Sequence, residues 1–581
     1  MYQPLPTSRA TIPPSGPLWW YWLIPTLLFA VGFSWLMVGP NLAIIPPDPK
    51  QNRVILGGYQ IGDSFLRVNG EILLPLAVFQ KHLDPNIHWD EVEKKVVVTT
   101  TDRVITMATD QLTAYVNNEP VQLQVPLQLQ EGNPYIPIAF FAELYGLNVF
   151  TPNDSQTIII DRFNQPVLSA TVKTKAAPLR IEPNIKAPAI ERLTAGEPVS
   201  IYKEDQGWFW IRTNRGNLGY IAKNHTHLAG ITVTPVPPKS TPIPWKPVGN
   251  KISLVWEYVG TRNPDPAQIG QLPGVNVVSP TWFKLSGTNG NVSNGASHAY
   301  VQWAKQQGYQ VWALFSNDFT KPDDTSIVLR SSALREKVIK QVLVYAKLYH
   351  LDGINIDFEN MNLADKPYFT QFVRELAPLL REQGLTVSVD VTFKSNSENW
   401  SLVYDRPALA AAVDYVAVMA YDEHWAKSPV AGPVASIPWV ERGLKTILKE
   451  IPADKLLLGI PFYTRMWEIK TDPQGNQVIS SRALSMAAAE RAIKNSQAEI
   501  LWDSANKLNY AEFVDGSSRF KIWIEDEIAL LQRLELARSY GLAGVAAWRR
   551  GFEKPDVWDS IATALEKRPY QKPLDIRLPE K

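Results

Sequence analysis

The chain has no cysteine in its 581 residues. That excludes disulfides, thiolate metal sites and a cysteine nucleophile. A chain without thiols suits an oxidising exterior, where nothing is left to mispair. Charge of one sign is also missing. The 58 Lys and Arg balance 57 Asp and Glu to a net +1, so no charge-driven partnership with nucleic acid is expected. Histidine is scarce, seven in all, and forms no HExxH run, so neither a metal nor another cofactor is expected. Long apolar runs are scarce too, and one stands out. Residues 18–39, LWWYWLIPTLLFAVGFSWLMVG, carry no charged side chain.

That run is long enough to cross a bilayer as one helix. Trp19, Trp20, Tyr21 and Trp22 crowd one end, as at a lipid–water interface, and Pro25 is tolerable in a membrane helix. A cleaved signal peptide would end in small residues of the A-x-A type, which Asn41-Leu42-Ala43 matches poorly. The expectation is an uncleaved single-pass membrane anchor after a short tail, 1–17. Few charges flank the span (Arg9 before it, Lys50 and Arg53 after), so placing the rest outside the cytoplasm rests on what the domains do.

A chain of this length is expected to hold several domains. Its 20 tryptophans mostly fill cores, though aromatic rings also make platforms for sugars. Residues 66–161 contain an internal repeat. Each copy has a strand ending in proline (Leu74-Pro75, Ile136-Pro137), a short amphipathic helix and a β-branched strand. This resembles the small α+β repeat domain in the N-terminal region of some copper amine oxidases. Copper is not implied, because no His/Cys cluster accompanies it. Residues 170–228 read as short strands between turns and resemble bacterial SH3-like domains. In that family the domain often binds cell-wall peptides. Trp208, Trp210 and Tyr220 would supply such a groove or fill the barrel core. Residues 229–249 are proline-rich and read as an extended spacer.

From Lys251 onward strands alternate with amphipathic helices. Candidate strands are 252–259, 275–283, 310–316, 353–359, 386–393, 415–422, 456–463 and 544–548. Eight strands in about 300 residues fit a (β/α)8 barrel, a TIM barrel, over 251–566, followed by a tail, 567–581. Within it, residues 351–360 read LDGINIDFEN. Asn355, Asp357 and Glu359 alternate with Ile354, Ile356 and Phe358, so a strand would turn the polar set to one face and the apolar set to the other. A calcium loop needs a central glycine and flexible fillers, and the fillers here are bulky and β-prone. A solvated edge strand is opposed by the apolar run before it. Glu359, Tyr421, Asp422, Tyr463 and Trp548 all fall at carboxyl ends of strands, where such barrels keep their active sites. Trp282, Trp312, Tyr258, Asn317 and Asp390 lie near strand ends as well, and packing explains them equally.

These motifs resemble glycoside hydrolase family 18, the chitinase-like family, and within it the bacterial spore-germination and cortex-lytic branch. Asp352-Gly353-Ile354-Asn355-Ile356-Asp357-Phe358-Glu359 corresponds to DGxDxDxE on the fourth strand. Met419-Ala420-Tyr421-Asp422, Gly459-Ile460-Pro461-Phe462-Tyr463 and Trp548 match later strands in order. The resemblance implies a retaining hydrolase in which the substrate's own acetamido group attacks. Glu359 is then the acid and base, and Asp357 orients the acetamido N–H. Tyr421 holds its carbonyl with Asp422 and Tyr463 nearby, and Trp548 floors the sugar. Asn355 stands where the pattern has Asp, as it tends to in the cortex-lytic branch. Losing that charge is expected to let Asp357 ionise more easily. The expected partner is peptidoglycan or another N-acetylglucosamine-containing glycan. A chitinase and a non-catalytic wall-binding scaffold are the alternatives.

Overall fold

The computed structural model describes residues 25–26, 39–152, 156–235 and 251–566. The expected membrane segment 18–39 lies outside the described residues except for Pro25, Thr26 and Gly39, and both terminal tails lie outside them. Among the described residues no helix is long and apolar enough to cross a membrane. The contacts divide the chain into two units. One comprises residues up to Pro85 with Leu123–Ser240, and the other Asn86–Gln122 with everything from Thr241. The 66–161 stretch therefore contributes to both.

In the first unit the two repeat copies pair through their proline-ended strands. Glu71–Pro75 runs antiparallel to Asn133–Pro137, with Leu74 opposite Ile136. Each proline leads straight into a helix, Leu76–His82 or Ile138–Ala142. A helix start is where a residue without an N–H costs least. Phe79 and Phe141 meet edge-on at 5.8 Å. Beyond them, seven strands between Pro166 and Val233 form one sheet over Val172, Leu179, Val199, Ile211 and Ile221. Its last strand, Thr226–Val233, pairs with Pro166–Val172. Backbone pairing thus carries the sheet into the stretch expected as a spacer, and the remainder of that stretch, from 236, lies outside the described residues.

The second unit is built on eight parallel strands: β1 Ile252–Glu257, β2 Val277–Ser286, β3 Gln310–Ser316, β4 Gly353–Asp357, β5 Thr386–Thr392, β6 Tyr415–Met419, β7 Leu456–Pro461 and β8 Gly544–Trp548. Each pairs with the next, and β8 pairs with β1, so the barrel closes. Closure leaves no free edge. The helices follow the same logic. Ser331 caps the helix Ser332–Leu348 by accepting from the Leu334 N–H, and Val338, Ile339, Val342, Leu343 and Ala346 form its buried stripe.

Inside the barrel, Leu254, Trp312, Leu314, Tyr415, Ala417 and Leu457 make an apolar layer. Trp312 stacks on Tyr415 at 5.7 Å. A five-stranded antiparallel sheet with the helix Met486–Ser496 is inserted between β7 and β8. The reading of eight strands and intervening helices did not anticipate it. On the outside of the barrel, the antiparallel strands between His88 and Gln122 lie against the helices Ser332–Leu348 and Lys366–Glu382. Asp90 accepts from the Ser332 N–H at 3.0 Å, and Lys95 pairs with Glu336 at 3.3 Å.

Gly544 sits at the seam that closes the barrel. A Cβ there would come within 1.9 Å of the Ile252 carbonyl oxygen. Since that obstacle is backbone, Gly544→Ala is expected to destabilise this unit by roughly 3 kcal/mol. An unchanged unfolding midpoint would refute the seam as a limit on closure.

Candidate active site

The alternation along β4 does what its sequence indicates. Ile354 and Ile356 pack outward into the main core. Phe358 stacks against Phe369 and Phe372, at 5.5 and 5.7 Å. Asn355 and Asp357 occupy the opposite face and are buried.

Asn355 is the hub of a polar layer above the apolar one. Its Oδ1 accepts from the Trp256 indole at 2.8 Å and from the Ser279 hydroxyl at 3.2 Å. Its Nδ2 donates to Ser388 Oγ at 3.0 Å and to Asp390 Oδ1 at 2.7 Å. Side chains from β1, β2 and β5 thus use all of its capacity. Asp357 stands differently: its Oδ1 is buried and has no hydrogen-bond partner among the described residues. Burial raises its carboxyl to about 7. The Glu359 carboxyl makes no hydrogen bond among the described residues and is pushed well above its usual range. Burial is the main cause, followed by the charges of Asp357, Asp390 and Asp422. Asp390 is raised as well, by burial and by Asp357, with the Asn355 amide opposing. A third carboxyl thus stands beside the pair in space, on β5, and burial opposes ionisation of Asp357.

The backbone of Glu359 is clamped. Asn317 Oδ1 accepts from the Glu359 N–H at 2.9 Å, and Asn317 Nδ2 donates to its carbonyl at 2.9 Å. Tyr404, fully buried, donates to the neighbouring Phe358 carbonyl at 2.8 Å. Asn317 and Asp390 were readable near strand ends but not distinguishable from packing residues. Tyr404 had no signal, because the segment before it has no period. Of the others near strand ends, Trp282 bonds Asn263 at 2.6 Å, Trp312 belongs to the apolar layer, and Tyr258 is exposed beneath the Arg549 guanidinium.

The remaining expected residues stand on the neighbouring strand ends. Tyr421 follows β6, and its ring lies 6.2 Å from that of Tyr463 after β7. Tyr463 donates to Asp422 Oδ1 at 2.6 Å, and Arg465 approaches the same oxygen at 3.5 Å. Asp422 holds a left-handed φ of 60°. Trp548, at the end of β8, is partly exposed, with its ring 6.0 Å from Trp256. The strand ends therefore bring together all seven residues picked from the sequence, and add Asn317, Asp390, Tyr404 and Arg465.

Two other features stand apart from this cluster. A cavity of about 420 Å³, bordered by Lys95, Thr106, Tyr115, Glu336, Lys340 and Glu375, contains none of its residues. In the first unit the Trp210 indole donates to the Gly58 carbonyl at 2.9 Å and its ring packs 4.9 Å from Tyr220. Both rings are thus engaged inside the unit.

Comparison with known proteins agrees with this geometry. Residues 258–553 match glycosyl hydrolases family 18. The chain belongs to that family. It is a glycoside hydrolase, chitinase-like in its catalytic barrel. Residues 62–160 match the copper amine oxidase N-terminal domain, and residues 175–227 the bacterial SH3 domain. Among curated relatives, an uncharacterized glycosylase of Bacillus subtilis is 28% identical over 299 residues, covering 49% of this chain and 84% of that protein. The cortical fragment-lytic enzyme of the same organism is 25% identical over 236 residues, covering 40% of this chain and 54% of its own. A solved structure, the spore cortex-lytic enzyme of Bacillus megaterium, aligns at TM-score 0.49 and 17% identity over 65% of this chain and 90% of its own.

The buried Asp357 gives this family 18 barrel a measurable pH signature. Burial raises this carboxyl to about 7, whereas an unfolded aspartate releases its proton near 3.8. Its cost is therefore absent below about pH 4, grows as pH rises and is complete above pH 7, where it reaches roughly 4 kcal/mol. Asp357→Asn is expected to raise the melting temperature at pH 8 and to change it little at pH 4. Equal shifts at both pH values would show that burial of the charge is not the cause.

Proposed function

We propose that the chain cleaves β-1,4 bonds beside N-acetylated sugars in bacterial peptidoglycan or spore cortex, by retaining, substrate-assisted catalysis. The observation that carries this reading is the contrast between Asp357 and Glu359. Asp357 has a buried acceptor oxygen without a donor among the described residues, and Glu359 is an acid whose burial and acidic neighbours favour its protonated form. A sugar's acetamido N–H is the donor Asp357 lacks. Glu359 then gives its proton to the glycosidic oxygen as the acetamido oxygen attacks the anomeric carbon. It later takes a proton from the water that opens the cyclic intermediate. Tyr421 binds the acetamido carbonyl, the Tyr463–Asp422 pair borders it, and Trp548 floors the sugar.

The substrate class rests on separate support. Peptidoglycan is favoured over chitin by the SH3-like domain and by relatives named cortical fragment-lytic enzymes. The apolar segment 18–39 fits a single-pass anchor that holds the domains on the outer side of the membrane.

Purified muropeptides and chitin oligosaccharides digested with the chain and with Glu359→Gln test both parts. New reducing ends are expected from muropeptides at the higher rate, and E359Q should lose at least 100-fold. Equal or better activity on chitin defeats the substrate claim. An active E359Q defeats the mechanism, and a wild-type chain that binds glycan without cleaving it is a scaffold. Asn317→Ala, which frees the Glu359 backbone, is expected to lower kcat about 10- to 100-fold with little change in KM. A change confined to KM would remove Asn317 from the positioning of the acid.

A further inference from the structure

Position 355 is an amide where the family pattern has an acid, and its orientation is fixed from both sides. Two donors, Trp256 and Ser279, hold its oxygen towards β1 and β2. Its NH2 group is left facing β5, where it meets Asp390 Oδ1 at 2.7 Å. An ionised acid at 355 would set carboxylate against carboxylate, whereas an amide at 390 keeps an oxygen that can accept from the Asn355 NH2. A carboxylate on one position and an amide on the other satisfies the pair in either order and gives it a single ionisable group. Ser388 and Asp390 belong to β5, so the partner comes from the strand next to the one that bears the motif.

We propose that Asp390 is a positioning residue of the reaction. It supplies from β5 the carboxyl that position 355 does not carry, and Asn355 holds it beside the Asp357–Glu359 pair. Every titratable group that faces it bears on the argument. Asp357 and Glu359 approach from β4 and its end, Tyr404 from the segment after β5 and Tyr421 from the end of β6. No ion pair to Asp357, Glu359 or Asp390 occurs among the described residues, so a charge on Asp390 acts on Glu359 unopposed. It disfavours ionisation of Glu359 and so extends the pH range in which that residue still has a proton to give.

The inference rests on Glu359 being the acid, and the experiment separates the two. The pH dependence of kcat is measured on one N-acetylated oligosaccharide for wild type, D390N, N355D and the exchange N355D/D390N, with melting temperatures as a check of folding. In D390N the alkaline limb is expected to move down by roughly half to one pH unit. In the exchange a carboxylate on β4 accepts from Trp256, Ser279 and the new amide on β5, and the limb returns towards its wild-type position. If Asp390 were only a packing residue, D390N would lower kcat at every pH without moving the limb, and the exchange would be worse than either single variant. That result overturns the proposal. Should D390N fail to fold, the exchange decides. A folded exchange with the wild-type limb supports the inference, and an unfolded or inactive one overturns it. An active E359Q means the underlying reading has failed. An inactive E359Q with an unmoved limb in D390N means that only this inference has.

Discussion

Three carboxyl groups, Asp357, Glu359 and Asp390, share the mouth of one barrel without an ion pair to any of them among the described residues. Withdrawing charge from water with no counter-ion is costly, and the group avoids the cost by keeping its proton. The surrounding side chains make the arrangement tolerable in ways that leave the acids available. The Asn355 amide offers Asp390 a donor without a formal charge, and it spends its oxygen on Trp256 and Ser279. Asn317 and Tyr404 fix the backbone at Glu359 and Phe358 while leaving the Glu359 carboxyl alone. The acid is thus positioned through its main chain, and its side chain is kept for the substrate.

The contrast with the rest of the unit shows that this is not how the fold treats buried carboxylates in general. Glu375 is forked by Arg335 at 2.8 and 2.9 Å, Asp414 is met by Arg381 at 2.6 Å, Glu257 pairs with Arg550, and Glu525 with Arg533. Planar guanidinium groups match carboxylates two bonds at a time and stay charged when buried. At these four positions a carboxylate that serves the scaffold is neutralised by an arginine. At the mouth none does, and an arginine there would hold Glu359 ionised and unable to donate. Leaving this one cluster unneutralised favours catalysis over stability.

The parts of this arrangement that a sequence can express as a period were legible. Alternation along 353–359 put Asn355 and Asp357 inside and Ile354 and Ile356 outside, because a strand reverses its side chains at each residue. The proline-ended strands of the repeat were equally plain. Asp390 was not, because nothing local distinguishes an acid facing a barrel interior from one that caps a turn. Its role exists only through a residue 35 positions away. Asn317 clamps Glu359 across 42 positions, and Tyr404 reaches Phe358 across 46. The motif counts charges along one strand, whereas like charges repel through space, and Asp390 joins the cluster only there.

The insertion between β7 and β8 belongs to the same economy of charge. Tyr463 and Arg465 begin its first strand, Tyr463–Thr471, and both reach Asp422. Asp422 holds a left-handed backbone, a conformation that aspartate tolerates better than most residues. The phenol and guanidinium from the inserted sheet hold its carboxylate in place, and the guanidinium brings a positive charge to the rim of the site. That charge sits on Asp422, which is about half exposed, and not on the buried acids. The rim is therefore neutralised and rigid while the interior remains acidic and unpaired. Under the function proposed above, a sugar ring would meet walls at Tyr463 and Trp548, and its amide would meet Asp357 Oδ1, a buried acceptor without a donor among the described residues.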